Sequence, residues 1–136
     1  MVALDYGRRR IGVAATDPLR TISAPHSAVA NQDPPTEPPT ALLDLLRDLE
    51  PALVLVGIPV NMDGSEGDMA AETRRFAARL ATLTDLPIEP HDERLTSYKA
   101  DELMQEMTLP RRRRREKGIR DMLAATLLLR DFMAES

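Results

Sequence analysis

Small and β-branched residues dominate two short stretches near the start of the chain, which is the pattern of β-strands. Residues 2–6 (VALDY) and 10–16 (RIGVAAT) are separated only by the segment GRR. We expect a β-hairpin there, with a third strand around residues 21–29. The polar, proline-dense segment NQDPPTEPPT that follows predicts a loop.

The spacing of apolar residues then changes to that of helices. Leucines recur at helical intervals in ALLDLLRDLE, which predicts a helix with Thr40 as its N-cap. Two further helices are predicted around residues 69–83 and 100–107, where apolar residues fall on one face. A last helix over residues 119–133 is apolar on nearly all sides, so we expect it to be buried.

Two more strands are predicted between these helices. The run LVLVGIPV is almost continuously apolar, as in a strand covered on both faces of a parallel sheet. A shorter strand is expected over residues 86–91. The order β-β-β-α-β-α-β-α-α predicts an α/β layered domain with a mixed sheet. With 136 residues, the chain suits a single domain over residues 1–136.

The composition excludes several kinds of site. There is no cysteine, so the chain has no disulfide, no thiolate metal site and no cysteine nucleophile. No apolar run reaches the roughly 18 residues that a membrane span needs. The first residues also lack the basic and then apolar pattern of a secretion signal. We therefore expect a soluble, cytoplasmic protein with no membrane partner.

The charge is uneven along the chain. A formal net charge of −4 gives no overall attraction to nucleic acid. Basic residues nevertheless cluster at residues 8–10 and in a run of five arginines, Arg111, Arg112, Arg113, Arg114 and Arg115. Such patches are compatible with a site that handles phosphate, although an arginine run can equally be a solvated loop.

Acidic residues occur in unexpected places: Asp5 within the first strand, the pair Asp92-Glu93 at the end of the last strand, and Asp121 in the first turn of the last helix. Ligand sites in parallel α/β sheets lie outside the carboxyl ends of the strands, which predicts that Asp5 and Glu93 share one edge. Clustered carboxylates repel each other and usually hold a shared proton or a cation. An all-oxygen ligand set favours Mg²⁺ or Mn²⁺.

Each acid also has a simpler interpretation. Asp5 could cap a turn, and Asp121 could complement the dipole at the helix N-terminus. Glu93 could form a surface ion pair with Arg94. Spacing alone leaves these alternatives open.

Four segments together resemble the YqgF/RuvX family of pre-16S rRNA nucleases and Holliday-junction-resolvase-like proteins. They are LDYGRRRIGVAATD, VGIPVNMDGSEG, HDERLTS and KGIRDMLAATLLL, in the family's order and over essentially the whole chain. The resemblance implies an RNase H-like, three-layer α/β domain with a five-stranded mixed sheet flanked by helices. It also implies a divalent-metal site of three acids, which by motif are Asp5, Glu93 and Asp121.

Positions beside the motif acids also bear on the expected site. Asp92, next to Glu93, is an alternative member of the acidic set. The family commonly has a hydrophobic residue where this chain has Arg120, and many members have an acid where it has Lys99. Both differences add positive charge near the expected site, and neither removes an expected ligand.

The function that the resemblance implies is a nuclease using Mg²⁺ or Mn²⁺, most of all one that processes the 5′ end of pre-16S rRNA in ribosome biogenesis. Ribosomal precursor particles are then possible partners. Arg8, Arg10 and the run Arg111–Arg115 are expected to contact nucleic-acid phosphates.

Alternative functions are Holliday junction resolution, which calls for a homodimer rather than a monomer, and a non-catalytic nucleic-acid-binding module. A kinase on the related actin-like fold is disfavoured, because the chain is too short for a two-domain cleft.

Overall fold

A computed structural model describes residues 1–17, 19, 22–94 and 118–135. The elements in chain order are β1 (Val2–Asp5), β2 (Arg10–Thr16), β3 (Ser23–Ala30), α1 (Thr40–Leu49), β4 (Val54–Ile58), α2 (Asp68–Leu83), β5 (Ile88–Asp92) and α3 (Ile119–Glu135). This order confirms the predicted strands and three of the predicted helices. The helix expected around residues 100–107 and the arginines Arg111–Arg115 lie outside the described residues.

The five strands form one mixed sheet in the order β3-β2-β1-β4-β5. β1, β2 and β3 are antiparallel neighbours, whereas β4 and β5 run parallel to β1. The carboxyl ends of β1, β4 and β5 therefore meet at one edge. In this register Asp5 of β1 lies opposite Gly12 of β2, and Ile58 of β4 lies opposite Asp92 of β5.

Helices cover both faces of the sheet, which confirms the expected three layers. Leu4 and Tyr6 belong to the core formed with α1 and α2, where Leu42 and Phe76 are fully buried. Ala3 packs instead in the core formed with α3. Because successive strand residues point to opposite faces, Asp5 lies on the α3 face.

Two details at the helices differ from the sequence-based expectation. Thr40 is the first residue of α1 and not its N-cap, because Pro39 holds the extended backbone of the cap, with φ −69° and ψ 150°. In α2 the buried face includes Glu72, an acid that the apolar pattern did not identify.

Helix α3 is buried over most of its length, as predicted: Ile119 and residues 123–129 are buried, Asp121 and Met122 are partly exposed and Arg120 is exposed. Its leucines and alanines pack on the sheet, so the first turn of α3 is brought to the same edge as the ends of β1 and β5. Among the described residues, no helix is long and apolar enough to cross a membrane.

Candidate active site

Asp5 and Glu93 meet at the carboxyl edge of the sheet although their strands are not neighbours. Asp5 ends β1, Glu93 follows β5, and β4 lies between these two strands. The backbone N–H of Glu93 donates to the carbonyl of Ile58 at 3.0 Å, which extends the β4–β5 ladder by one residue. The side chains of Asp5 and Glu93 are hydrogen-bonded to each other. Two carboxyl groups can form such a bond only when one of them carries a proton.

A glycine in the intervening strand makes this contact possible. A Cβ at Gly57 would collide with the carboxylate of Glu93, and it would also lie 3.0 Å from Leu128 of α3. The Glu93 side chain therefore crosses directly over the backbone of β4 on its way to Asp5. Glycine is required here for close approach and not for an unusual backbone conformation.

The third acid, Asp121, is placed by a second close approach. A Cβ at Gly12 would collide with the backbone carbonyl of Asp121, so the first turn of α3 packs directly on β2. Gly12 lies opposite Asp5 in the sheet, which brings Asp121 near Asp5. The Asp121 carboxylate accepts a hydrogen bond from Arg10 Nε at 3.3 Å.

The three acids influence one another electrostatically. Burial raises the pKa of Asp5 well above its usual value, and the charges of Glu93 and Asp121 raise it further, while Arg120 acts in the opposite direction. Burial likewise raises the pKa of Glu93, to about 7; its hydrogen bond to Asp5 opposes this shift and the charge of Asp92 adds to it. The pair therefore retains a proton close to neutral pH.

Asp92 is engaged elsewhere. It accepts hydrogen bonds from the backbone N–H and from Nε of Arg94, both at 2.8 Å. Although burial acts to raise the pKa of Asp92, these bonds lower it overall. Arg94 also forms an ion pair with Asp92. Glu93 is thus the member of the Asp92–Glu93 pair that turns toward Asp5.

The donor set suits a hard divalent cation. Asp5 and Glu93 bring two carboxylates into direct contact, and such a pair needs either a proton or a cation to neutralise it. Within the described ranges no three potential ligands already stand in a metal-binding arrangement. The raised pKa values of Asp5 and Glu93 favour a form in which the pair shares a proton, and Asp121 accepts a hydrogen bond from Arg10. A cation would take the place of the shared proton.

The arginines that were predicted to contact nucleic acid have different partners in the structure. Arg8, with 68% of its side chain exposed, is held by Glu72, and Arg10 is held by Asp121. The run Arg111–Arg115 lies outside the described residues. The sequence reasoning missed Glu72. Its position four residues before Phe76 places it on the buried face of α2, and this spacing was the available signal.

Comparison with known proteins identifies the family. Residues 1–135 match the family model RuvX, described as Holliday junction resolvase. A protein of Endomicrobium trichonymphae named "Putative pre-16S rRNA nuclease" is 34% identical over 98% of this chain and 94% of its own length. A protein of the same name from Pelotomaculum thermopropionicum is 37% identical over 98% of this chain and 85% of its own.

Solved structures share the fold at low sequence identity. The resolvase of fowlpox virus bound to Holliday junction DNA matches with a TM-score of 0.60 at 8% identity, covering 99% of this chain and 98% of its own. RuvC of Thermus thermophilus in complex with a Holliday junction matches with a TM-score of 0.56 at 17% identity, covering 99% of this chain and 96% of its own. These likenesses confirm the RNase H-like fold. With the match over residues 1–135 and relatives at 34–37% identity, the chain belongs to the YqgF/RuvX family.

Proposed function

We propose that this protein is a divalent-metal-dependent nuclease that hydrolyses phosphodiester bonds in structured nucleic acid, with the 5′ end of pre-16S rRNA as its substrate. The observation that carries the proposal is the convergence of Asp5, Glu93 and Asp121, which come from β1, the end of β5 and the start of α3. The names of the full-length relatives favour the rRNA substrate.

Asp5, Glu93 and Asp121 would hold the metal, Mg²⁺ or Mn²⁺. When bound, such an ion lowers the pKa of a coordinated water and stabilises the leaving oxygen. The protein's own part is to keep the acids together. Gly57 and Gly12 let Glu93 and Asp121 approach the sheet closely.

The protonation state of the site depends on Asp5 and Glu93. The pKa of Glu93, raised by burial to about 7, means that Glu93 ionises near physiological pH. Asp5, whose pKa burial raises well above its usual value, keeps the proton of their hydrogen bond. Arg10 orients the Asp121 carboxylate through its Nε hydrogen bond. The nearby positive charge of Arg120 favours ionisation of Asp5.

Phosphate contacts are assigned to Arg8 and to Arg111–Arg115, since arginine grips phosphate with two donors at once. Arg10, which the sequence also predicted as a phosphate contact, is assigned instead to the orientation of Asp121. The described part of the chain has few exposed aromatic side chains: Tyr6 and Phe76 are buried. Recognition by backbone and shape is therefore favoured over stacking on bases.

Resolution of Holliday junctions is the second candidate. Its support is the description of the matching family model as Holliday junction resolvase. The likeness to resolvase structures determined with junction DNA concerns the fold alone, at 8–17% identity. Symmetric cleavage of a junction would require two active sites in a two-fold dimer.

Cleavage assays on matched substrates test the proposal. Purified protein is incubated with end-labelled fragments spanning the 5′ end of pre-16S rRNA, with single-stranded DNA and with four-way junctions, each in Mg²⁺, Mn²⁺ or chelator. The variant Asp5→Asn should be inactive and folded. Asp44→Asn, which removes a carboxylate from an exposed ion pair with Arg47 on α1, is the matched control and should be active.

Three results would change the assignment. Paired, symmetric nicks in junctions by a dimer, with no cleavage of RNA, would support the resolvase function. Full activity in chelator would contradict the metal requirement. If the protein bound a substrate without cleaving any, and Asp5→Asn bound equally well, the protein would be a non-catalytic binding module. Light scattering would give the oligomeric state.

A further inference from the structure

Arg8 lies in the turn between β1 and β2 and is fixed by an acid from α2. Its Nε lies 3.0 Å from Glu72 Oε2, and its Nη2 lies 2.6 Å from Oε1. Glu72 in turn accepts a hydrogen bond from the hydroxyl of Tyr6 at 2.7 Å. Tyr6 is buried and packs against Phe76, with ring centroids 4.7 Å apart and the rings tilted by 38°. The guanidinium is thus tied to the hydrophobic core through two side chains.

The burial of the two charges is unequal. The side chain of Glu72 is 10% exposed, whereas that of Arg8 is 68% exposed. Hydrogen bonds from Arg8 and then from Tyr6 lower the pKa of Glu72, so this carboxylate is ionised. A buried carboxylate is costly to keep, and an apolar side chain at this position would be cheaper for stability alone. The buried position of Glu72 is therefore better explained by its hydrogen bonds to Arg8, which hold the guanidinium in place.

Glu72 binds one edge of the Arg8 guanidinium and leaves another edge unbound. Its two oxygens occupy the Nε and Nη2 edge. Among the described residues, no hydrogen bond engages Nη1 of Arg8, so the edge formed by Nη1 and Nη2 is available to a second ligand. That edge matches two oxygens of a phosphate. Because the guanidinium is already oriented, less conformational freedom is lost when it binds.

The available edge belongs to an open recess of about 610 Å³ lined by Arg8, Arg9, Asn31, Gln32, Asp33, Pro35 and Glu72. Asn31 braces this recess, since its amide donates to the carbonyls of Gly7 at 2.8 Å and Pro35 at 3.0 Å. Two arginines and two acids line it, so the formal charges cancel. Attraction for an anion must then come from the placement of the guanidinium at the surface and not from net charge.

The recess lies beside the acidic site but on the other face of the sheet. Tyr6 faces the core of α1 and α2, whereas Asp5 is on the α3 face. Arg8 is three positions after Asp5 in the chain, so their Cα atoms are at most about 11 Å apart. A nucleic-acid strand that passes over the edge of the sheet would cover this distance with one or two nucleotides.

We infer that Glu72, supported by Tyr6, is a positioning residue that holds Arg8 as a binding group for a backbone phosphate of the nucleic-acid strand next to the cleavage site. The inference rests on the proposed function in that the strand is the substrate. It is tested by binding, so it can fail or succeed independently of cleavage.

The decisive variant is Glu72→Gln, because two explanations predict opposite signs. Removing a negative charge near a polyanion should tighten binding if charge alone matters. If Glu72 orients Arg8, binding should instead weaken by roughly threefold to tenfold. Arg8→Ala should weaken binding similarly and lower the slope of log affinity against log salt by about one phosphate contact. Tyr6→Phe, which keeps the ring, should show a smaller loss of the same kind.

Binding of a labelled single-stranded RNA is measured by fluorescence anisotropy over a series of salt concentrations, with Asp44→Asn as the control for loss of one exposed carboxylate. In the double variant Arg8→Ala/Glu72→Gln, the second change should no longer weaken binding. Thermal unfolding of each variant identifies any loss of folded protein.

Equal or tighter binding by folded Glu72→Gln, or an unchanged salt slope in Arg8→Ala, would overturn the inference. Absence of RNA binding by the wild type would overturn it as well. Loss of cleavage in Asp5→Asn with intact binding would leave the inference standing and concern only the proposed function. If Glu72→Gln merely lowered thermal stability without altering affinity or salt slope, its role would be structural and the inference wrong.

Discussion

Glu93 reaches Asp5 across the backbone of Gly57, so two acids from non-adjacent strands share a hydrogen bond above the strand that separates them. The contact needs a parallel strand order that aligns the ends of β1, β4 and β5, and it needs the absence of a side chain at one position. Gly57 is thus part of the candidate site although it contributes no functional group.

Gly57→Ala should therefore reduce cleavage much more than it reduces stability. The carboxylate of Glu93 is at the end of a rotatable side chain and can move aside, but it then leaves Asp5. We expect cleavage to fall by about 100-fold, as for a displacement of about 1 Å in a reacting group. The free energy of unfolding should fall by about 1–3 kcal/mol, because the new methyl group also crowds Leu128.

Gly67→Ala is the matched control, because nothing lies within 4 Å of a Cβ at that position. Cleavage rate and melting temperature are measured for both variants. Wild-type cleavage by Gly57→Ala would contradict the role assigned to the contact between Asp5 and Glu93.

Stability of the metal-free protein should fall as the pH rises through the range set by Glu93. Burial raises the pKa of Glu93 from 4.5 to about 7. Between these values the folded state holds a proton that the unfolded state has released, so a higher pH favours unfolding. The free energy of unfolding should drop on the order of 2–3 kcal/mol across this interval, at about 1.4 kcal/mol per pKa unit.

The measurement is the melting temperature in chelator from pH 4.5 to 7.5, compared between the wild type and Glu93→Gln. The variant cannot titrate at this position and should show a flatter profile. Identical profiles for the two proteins would show that the pKa of Glu93 is not raised in the folded state.

Binding of Mg²⁺ or Mn²⁺ should release a proton. Asp5 and Glu93 would release the proton that they share on holding a cation, so the affinity should increase between pH 6 and pH 8. Isothermal titration calorimetry in two buffers of different ionisation enthalpy counts the protons released. Asp5→Asn should lose metal binding while Asp44→Asn keeps it, and binding with no proton release would contradict the proton-sharing pair.

Arg10→Ala should affect turnover more than substrate binding. Arg10 Nε donates to Asp121 at 3.3 Å, and both side chains are about one-third exposed. Loss of this contact leaves Asp121 less well oriented, so kcat should fall while the salt dependence of RNA binding stays near that of the wild type. A salt slope lowered by about one contact, with kcat unchanged, would instead identify Arg10 as a phosphate contact.

The fold could be predicted largely from local patterns. The small and β-branched residues of the first strands, the continuous apolar run at β4 and the helical spacing of leucines each depend on residues close together in the chain. Such patterns reveal which face of an element is buried, because burial of apolar surface is the dominant favourable term in folding. The position of Asp5 and Glu93 at strand ends also followed from the sequence, given a parallel sheet.

The contacts that define the site were decided only by the tertiary structure. Arg10 and Asp121 are 111 positions apart, and Arg8 and Glu72 are 64 apart. Periodicity identifies a buried face but not its partner, so it could not show that Arg8 is held by a buried acid. The partners depend on the order β1-β4-β5, on α2 and α3 covering opposite faces, and on glycines that let side chains pass close to the backbone. Those are properties of elements assembled in space, and no segment of the chain specifies them alone.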